Sequence, residues 1–347
     1  MWAVKRKTLY FTAPRQVELR EEDLPAPGAD DILVETICSA ISAGTEMLIY
    51  QGRFPRDLET DSVISSLRGG FQYPMAYGYA CVGVVRETGI RVDKSLRDQF
   101  VFSFQPHQSH FICKPESLRR IPSSLSAESA CFLPNMETAV NLVQDGAPIL
   151  GERVLVLGQG VVGLLTAALL KEFPLDELVT VDRYDLRCEM SKVECQTSAV
   201  SHCSTLNPST ADFRGQALAS LKQGADLTFE LSGNPAALNE AIALTKFSGR
   251  IVVGSWYGEK KVEIDLGGSF HRSRIKLISS QVSTISSDLS ARWDKIRRFD
   301  VAWMALERMK PEKWITHRFS LEQAPDAYRL LDEKPQETVQ VIFDYTL

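Results

Sequence analysis

The sequence predicts an α/β protein of two units, one β-rich and one built on a doubly wound parallel sheet. Three observations carry this. A short apolar run, Val154 to Leu157, enters Gly158-x-Gly160-x-x-Gly163 and is followed by an apolar helical stretch, Val161 to Leu170. From about residue 135 to 285, short apolar runs alternate with helical stretches, the pattern of a parallel sheet. Before that, β-rich runs such as Ile32–Ile37 and Cys81–Glu87 are separated by turn-rich segments such as Pro25-Ala-Pro-Gly28.

The elements follow in order. Residues 1–134 form the β-rich unit, with a short helix over Glu46–Tyr50 and a loop, Arg56–Phe71, that can act as a lid hinged at Gly69-Gly70. Residues 135–285 form the second unit. Its strand Val154–Leu157 and helix Val161–Leu170 lead to Leu178–Val181, which ends in Asp182. Ala225–Glu230, a helix over 235–246 and Arg250–Gly254 complete the alternation. A helix over Arg292–Met309 comes next, then one opened by the capping pair Ser320-x-x-Gln323, then a strand over Thr338–Tyr345. Residues 286–347 are expected to return to the first unit. A chain of 347 residues can bury such cores without disulfides.

The three-glycine turn between strand and helix is the arrangement that cradles a dinucleotide pyrophosphate. The first glycine permits the tight turn, the second lets backbone approach the phosphates, and the third lets the helix pack on the strand. Gly158, Gly160, Val161, Val162 and Gly163 are therefore the candidate phosphate-binding residues. Asp182 stands at the distance expected of an acid that accepts from ribose hydroxyls, which favours NAD over NADP. Arg183 directly after it could instead neutralise a 2′-phosphate and keeps NADP open.

A net charge of −5 and 24% charged residues argue against nucleic acid or an anionic membrane as the main partner. The amino terminus, MWAVKRKTLYF, has no signal-peptide core, so the expected location is the cytoplasm. The seven cysteines, with no CxxC pair, read as reduced and mostly buried thiols.

The order of Pro25-Ala-Pro-Gly28, Ala43-Gly-Thr-Glu46, Pro74-Met-Ala-Tyr-Gly-Tyr-Ala80, the glycine fingerprint and Gly233-Asn-Pro-Ala236 resembles the medium-chain dehydrogenase/reductase superfamily, zinc alcohol dehydrogenase type. Ser39-Ala-Ile-Ser-Ala-Gly-Thr-Glu46 and Gly78-Tyr79 resemble the branch containing bacteriochlorophyllide dehydrogenase. The resemblance implies a GroES-like catalytic domain built from both chain ends and a Rossmann domain. It also implies a small-molecule substrate and a possible homodimer formed through Ile275–Val282. By the same resemblance Ser232 lies in a loop against the adenosine ribose and Gly254 at a strand end near the nicotinamide.

The departures from the family pattern matter for the chemistry. Where zinc-dependent members have Cys and His ligands this chain has Ala43 and Tyr79, with Ala80 in place of the following glutamate. The third-ligand region reads Pro134-Asn-Met-Glu137, and the four-cysteine structural lobe is replaced by Phe102 to His110. Alanine has no donor atom and a phenol is a poor zinc ligand, so the sequence predicts a zinc-free protein.

Hydride exchange with nicotinamide then needs hydroxyls or imidazoles to handle the proton. Thr45 occupies the place of the family's substrate-contacting hydroxyl, although a threonine there can equally cap the next helix. Tyr79 can donate to a carbonyl oxygen or simply fill the space a metal would take. His107 and His110 follow a strand whose family counterpart lines the substrate pocket, and His107 is the stronger proton-transfer candidate. Leu48 replaces the usual relay histidine, leaving Tyr50 or a histidine to substitute, and Phe102, Phe104, Tyr50 and Phe54 suggest a bulky substrate. The leading expectation is a zinc-independent dehydrogenase or ketoreductase. A double-bond reductase for enones or quinones, and a non-catalytic dinucleotide binder, are the alternatives.

Overall fold

The computed structural model describes residues 4–55, 57, 66, 69–196, 200 and 202–347, the side chains of 194–196 excepted. Most of the expected lid, Arg56–Phe71, lies outside the described residues. The chain divides into two compact units, Met1–Pro134 with Leu306–Leu347, and Asn135–Ala305. The second crossing thus falls inside the helix Lys295–Met309, later than the expected 285.

In the first unit a seven-stranded sheet runs Ile315–Phe319, Gln340–Asp344, Ile32–Ala40, Cys81–Thr88, Phe100–Ser103 and Leu118–Arg120, with His110–Cys113 also pairing to Ile32–Ala40. A smaller sheet joins Gln16–Asp23, Lys5–Ala13 and Met75–Ala76. The carboxyl-terminal strand pairs antiparallel with the third strand of the chain, Phe343 opposite Ser39. Ile32, Val34, Cys81, Val85, Val101 and Phe111 form one core of this unit, because alternate residues of paired strands point to the same face.

The second unit holds six parallel strands in the order Cys203–Leu206, Glu177–Val181, Arg153–Leu157, Ala225–Glu230, Thr245–Val253 and Lys276–Ser279. This is the order of a doubly wound dinucleotide fold, with its reversal between Arg153–Leu157 and Ala225–Glu230. The helix Val161–Leu170 is buried from Gly163 to Leu170, which explains why its sequence is apolar all round instead of amphipathic.

Element types follow the sequence reading, with shorter ends. The helix expected over 235–246 spans Ala237–Leu244, and that over Arg292–Met309 begins at Lys295. The first helix spans Ala43–Tyr50 with Ser42 at its N-cap, so Thr45 lies inside it and does not cap it. The capping pair Ser320 and Gln323 is present as expected. Cys38, Cys81, Cys113, Cys131 and Cys188 are free thiols, but Cys203 is disulfide-bonded, which corrects the reading of all cysteines as reduced. Among the described residues no helix is long and apolar enough to cross a membrane.

Candidate functional site

In the second unit, the first residue after each of five strands donates its N–H to the last residue of a neighbouring strand. Gly158 donates to Val181 (2.7 Å), Asp182 to Leu206 (3.2 Å) and Leu231 to Leu157 (2.8 Å); Gly254 donates to Glu230 and Ser280 to Val253 (both 3.0 Å). This ladder aligns the candidate cofactor residues along one carboxyl edge of the sheet, where open α/β sheets bind ligands.

The glycines of the turn are required by space. Gly158 has φ of +97°, and a Cβ there would lie 2.6 Å from the carbonyl of Leu231. At Gly163 a Cβ would meet the Gly158 oxygen at 1.9 Å, so helix and turn pack with no room for a side chain. Gly160 is the N-cap of the helix, and Val161 and Val162 open its first turn, where N–H groups lack intrahelical partners.

Asp182 is buried, and its carboxylate already holds the turn together. Oδ2 accepts from the Gln159 N–H at 2.7 Å and Oδ1 from the Tyr184 N–H at 2.9 Å. Each oxygen keeps a lone pair for a further donor, which suits a ribose hydroxyl. Arg183 folds back on its neighbour: its guanidinium lies 4.6 Å over the Tyr184 ring and donates to the Tyr184 hydroxyl. Arg187, which sequence reasoning missed, sits 3.9 Å from Asp182 Oδ2 and stacks on the same ring, and burial lowers its pKa from the usual arginine value. Its one sequence signal is its place a helical turn beyond Arg183.

Ser232 donates its N–H to Glu230 Oε1 at 2.9 Å, and the Tyr257 hydroxyl donates to Oε2 of the same buried carboxylate. Burial, then the Glu230 charge, push the Tyr257 phenol well above its ordinary pKa. At Gly254 a Cβ would strike the side chains of Leu142 and Leu231.

In the first unit the structure brings together Thr45, Tyr79 and Ser42. The Tyr79 hydroxyl donates to Ser42 Oγ and lies 3.4 Å from Thr45 Oγ1. All three residues are partly exposed. Gly78 sets Tyr79 in place: its φ is +125°, and a Cβ there would lie 2.8 Å from the His107 ring.

His107 itself is fully buried with both ring nitrogens engaged. Nδ1 lies 2.7 Å from Ser39 Oγ and Nε2 3.0 Å from Glu46 Oε2. Both nitrogens are thus taken up by side chains of the same unit. Glu46 also accepts the Ser42 N–H at 2.7 Å and the Tyr328 hydroxyl, while Ser39 Oγ meets the Tyr345 hydroxyl at 3.0 Å. Burial raises the pKa of both phenols, reinforced at Tyr328 by the Glu46 charge. A ring so enclosed has no face for a substrate, so the expectation of direct proton transfer by His107 is corrected to a role in holding Glu46. His110 is half-buried, 3.0 Å from Ser109 Oγ, and burial lowers its pKa.

The expected aromatic mouth is mostly packing. Phe102 is fully buried, Tyr50 stacks on Tyr328, and Phe54 packs on Phe71 and Tyr73, leaving Phe104 partly exposed. Leu48 is buried as well. Glu137, the one charged residue of the third-ligand region, accepts from the Arg298 guanidinium at 2.9 and 3.1 Å.

Residues 161–298 match the family model described as zinc-binding dehydrogenase. Over 98% of this chain and 99% of its own length, the starvation-sensing protein RspB of Escherichia coli K12 is 22% identical. D-guloside 3-dehydrogenase of the same organism is 24% identical over 96% of this chain and 99% of its own. The structure superposes on that of a short chain alcohol dehydrogenase (rspB) from E. coli CFT073 complexed with NADH, with a TM-score of 0.77, 20% identity and 98% and 99% coverage. It also superposes on 2R,3R-butanediol dehydrogenase from Bacillus subtilis, with a TM-score of 0.78, 17% identity and the same coverage. The chain is thus similar in sequence to alcohol dehydrogenase-like oxidoreductases and shares their fold. Its GroES-like and Rossmann architecture is the fold its sequence predicts. In this alcohol dehydrogenase-like chain the network of Ser39, Glu46, His107, Tyr328 and Tyr345 escaped sequence reasoning, because its members lie up to 306 residues apart.

Proposed function

We propose that the protein is a zinc-independent, NAD(P)-dependent oxidoreductase that exchanges hydride with an alcohol or ketone. The observation that carries this is the hydroxyl cluster of Tyr79, Ser42 and Thr45, in which Tyr79 occupies a position where the resemblance places a metal ligand. The residues present do not suit zinc: Ala43 and Ala80 have no donor, and the carboxylates of Glu46 and Glu137 are already committed to His107 and Arg298.

The Rossmann residues Gly158, Gly160, Val161, Val162, Gly163 and Asp182 would hold the dinucleotide, with Ser232 and Gly254 along the same strand edge. When bound, its nicotinamide supplies or accepts the hydride. On substrate binding the Tyr79 hydroxyl turns its single proton from Ser42 Oγ to the substrate oxygen and delivers it as negative charge develops there, leaving a phenolate that accepts from the Ser42 hydroxyl. Thr45 supplies a second hydrogen bond to that oxygen. Ser42 Oγ orients the Tyr79 hydroxyl, and Glu46, fixed by His107 and Tyr328, holds the Ser42 backbone. Asp182 supports NAD, and the attachment of Arg183 to Tyr184 leaves no guanidinium beside the carboxylate from that position. The motif likeness to the bacteriochlorophyllide dehydrogenase branch is kept as part of this reading, without a claim on substrate size. The enzyme works in the cytoplasm, as a homodimer formed through Ile275–Val282.

The test is turnover of an alcohol and ketone panel with NAD(H) and NADP(H), before and after chelation, with zinc content measured on the same sample. Activity that survives chelation with well under one zinc per chain supports the reading. Stoichiometric zinc whose removal abolishes activity overturns it, and turnover restricted to enones replaces it with double-bond reduction.

A further inference from the structure

We propose that Arg298 is a positioning residue for the nicotinamide half of the dinucleotide site, acting with Glu137 to hold residues 280–284. This rests on the dinucleotide reading above. Asp182 marks the adenosine half on the strand Glu177–Val181, so the second mononucleotide belongs to the other half of the sheet, the strands up to Lys276–Ser279. Ser280 closes the N–H ladder on that carboxyl edge, donating to Val253. Residues 281–284 continue the chain from that edge without regular structure of their own.

Arg298 fastens this segment from behind. It is fully buried, and its guanidinium donates to the carbonyls of Val282 and of Thr284, the latter at 3.1 Å. The other donors reach Glu137 Oε1 at 2.9 and 3.1 Å and the Asn141 side-chain oxygen. Lys295 joins the same cluster, pairing with Glu137 and donating to the Val282 carbonyl at 3.1 Å. One helical turn further on, Asn141 and Asp145 both bind Ser280 Oγ, at 2.9 and 2.7 Å. Glu137, Asn141 and Asp145 are spaced by four, which puts them on one face of the helix Leu133–Gly146.

Apart from the bond from the Asn141 amide to Asp145 at 3.0 Å, these contacts bear on the loop at the carboxyl edge or on the arginine and lysine that hold it. A guanidinium suits the task because its planar fork serves a carboxylate and two carbonyls at once, whereas an ammonium cannot span them. A buried ion pair adds little net stability compared with apolar packing, so this one is better explained by the geometry it imposes on the loop.

Titration calorimetry of the full chain with NADH and with ADP-ribose, which lacks nicotinamide, separates positioning from general stability. In Arg298→Met, NADH affinity should fall about tenfold or more while ADP-ribose affinity stays within about twofold. Arg298→Lys should recover part of the loss, because it keeps the charge. If Arg298→Met does not fold, Glu137→Gln carries the same comparison, since it keeps the shape of the acceptor and removes its charge. Equal loss of both ligands, or a lowered Tm with both affinities intact, overturns the proposal. A wild-type chain that binds neither ligand overturns the dinucleotide reading and this proposal with it; wild-type binding of both, with parallel loss in the variants, overturns this proposal alone.

Discussion

The two units hold the carboxylates of Asp182 and Glu46 in opposite ways. In the Rossmann unit the turn is made by backbone: Asp182 accepts two N–H groups from residues 159 and 184, and Gly158 and Gly163 are shaped by contacts a single Cβ would break. In the GroES-like unit the corresponding carboxylate, Glu46, is held by His107 and Tyr328, side chains 61 and 282 positions away. One site is local in sequence and built on conformation; the other is assembled from the whole unit and built on side-chain packing. The difference teaches that damage to the first should fall on ligand binding and damage to the second on folding.

The strongest way to break that contrast is Glu46→Ala, which leaves His107, Tyr328 and the Ser42 N–H without their common partner inside the protein. A loss of about 3–5 kcal/mol in urea unfolding is expected, and a loss under about 1 kcal/mol would show that the network is not structural. Tyr79→Phe removes a partly exposed hydroxyl and should lower turnover about a hundredfold, near 2.7 kcal/mol, with NADH affinity unchanged. Full activity would demote Tyr79 to packing.

Gly158→Ala forces a side chain into the Leu231 backbone at positive φ. NADH affinity should fall at least about tenfold, or 1.4 kcal/mol; an unaltered dissociation constant by fluorescence titration counts against the turn as phosphate site. Asp182→Asn should narrow the preference for NAD over NADP by about fivefold, on the order of 1 kcal/mol. An unchanged ratio in parallel titrations removes Asp182 from the ribose.

The smallest effect concerns a surface carboxylate of the Rossmann unit. Hydrogen bonds from Lys222 and Arg153 hold Asp176 down to about 2. Because the folded value lies below the unfolded one of about 3.9, its contribution is present above about pH 4 and is lost as pH falls toward 2. Asp176→Asn should therefore unfold slightly more easily than wild type at pH 6, with the gap closing at pH 2 and shrinking in high salt. A gap that widens on acidification reverses the sign and sinks the account.

Legibility followed the same division. The turn from Gly158 to Gly163 and the acid at Asp182 could be read because strand, turn and helix are consecutive. Arg187 was missed although it lies only five residues past Asp182, since nothing in the sequence says which face of its helix meets the turn. Thr45 and Tyr79 were singled out only through the family likeness, and their meeting at 3.4 Å required the fold. His107 was misjudged because a histidine after a strand looks the same whether it faces a pocket or a core. Tyr50, Phe54 and Phe102 were misjudged for the same reason, as period-two alternation names two faces without saying which one is covered.

By itself the sequence determined the two-unit architecture, the order of strand and helix, and the glycine turn that joins the strand Arg153–Leu157 to the helix Val161–Leu170. These depend on local backbone chemistry and on which atoms a residue carries. Only the tertiary structure decided that His107 serves Glu46, that Glu137 serves Arg298, and that Tyr79, Ser42 and Thr45 share one hydroxyl cluster. Such pairings are set by packing between distant segments, where burial leaves a charged or polar atom no partner except the one the fold brings to it.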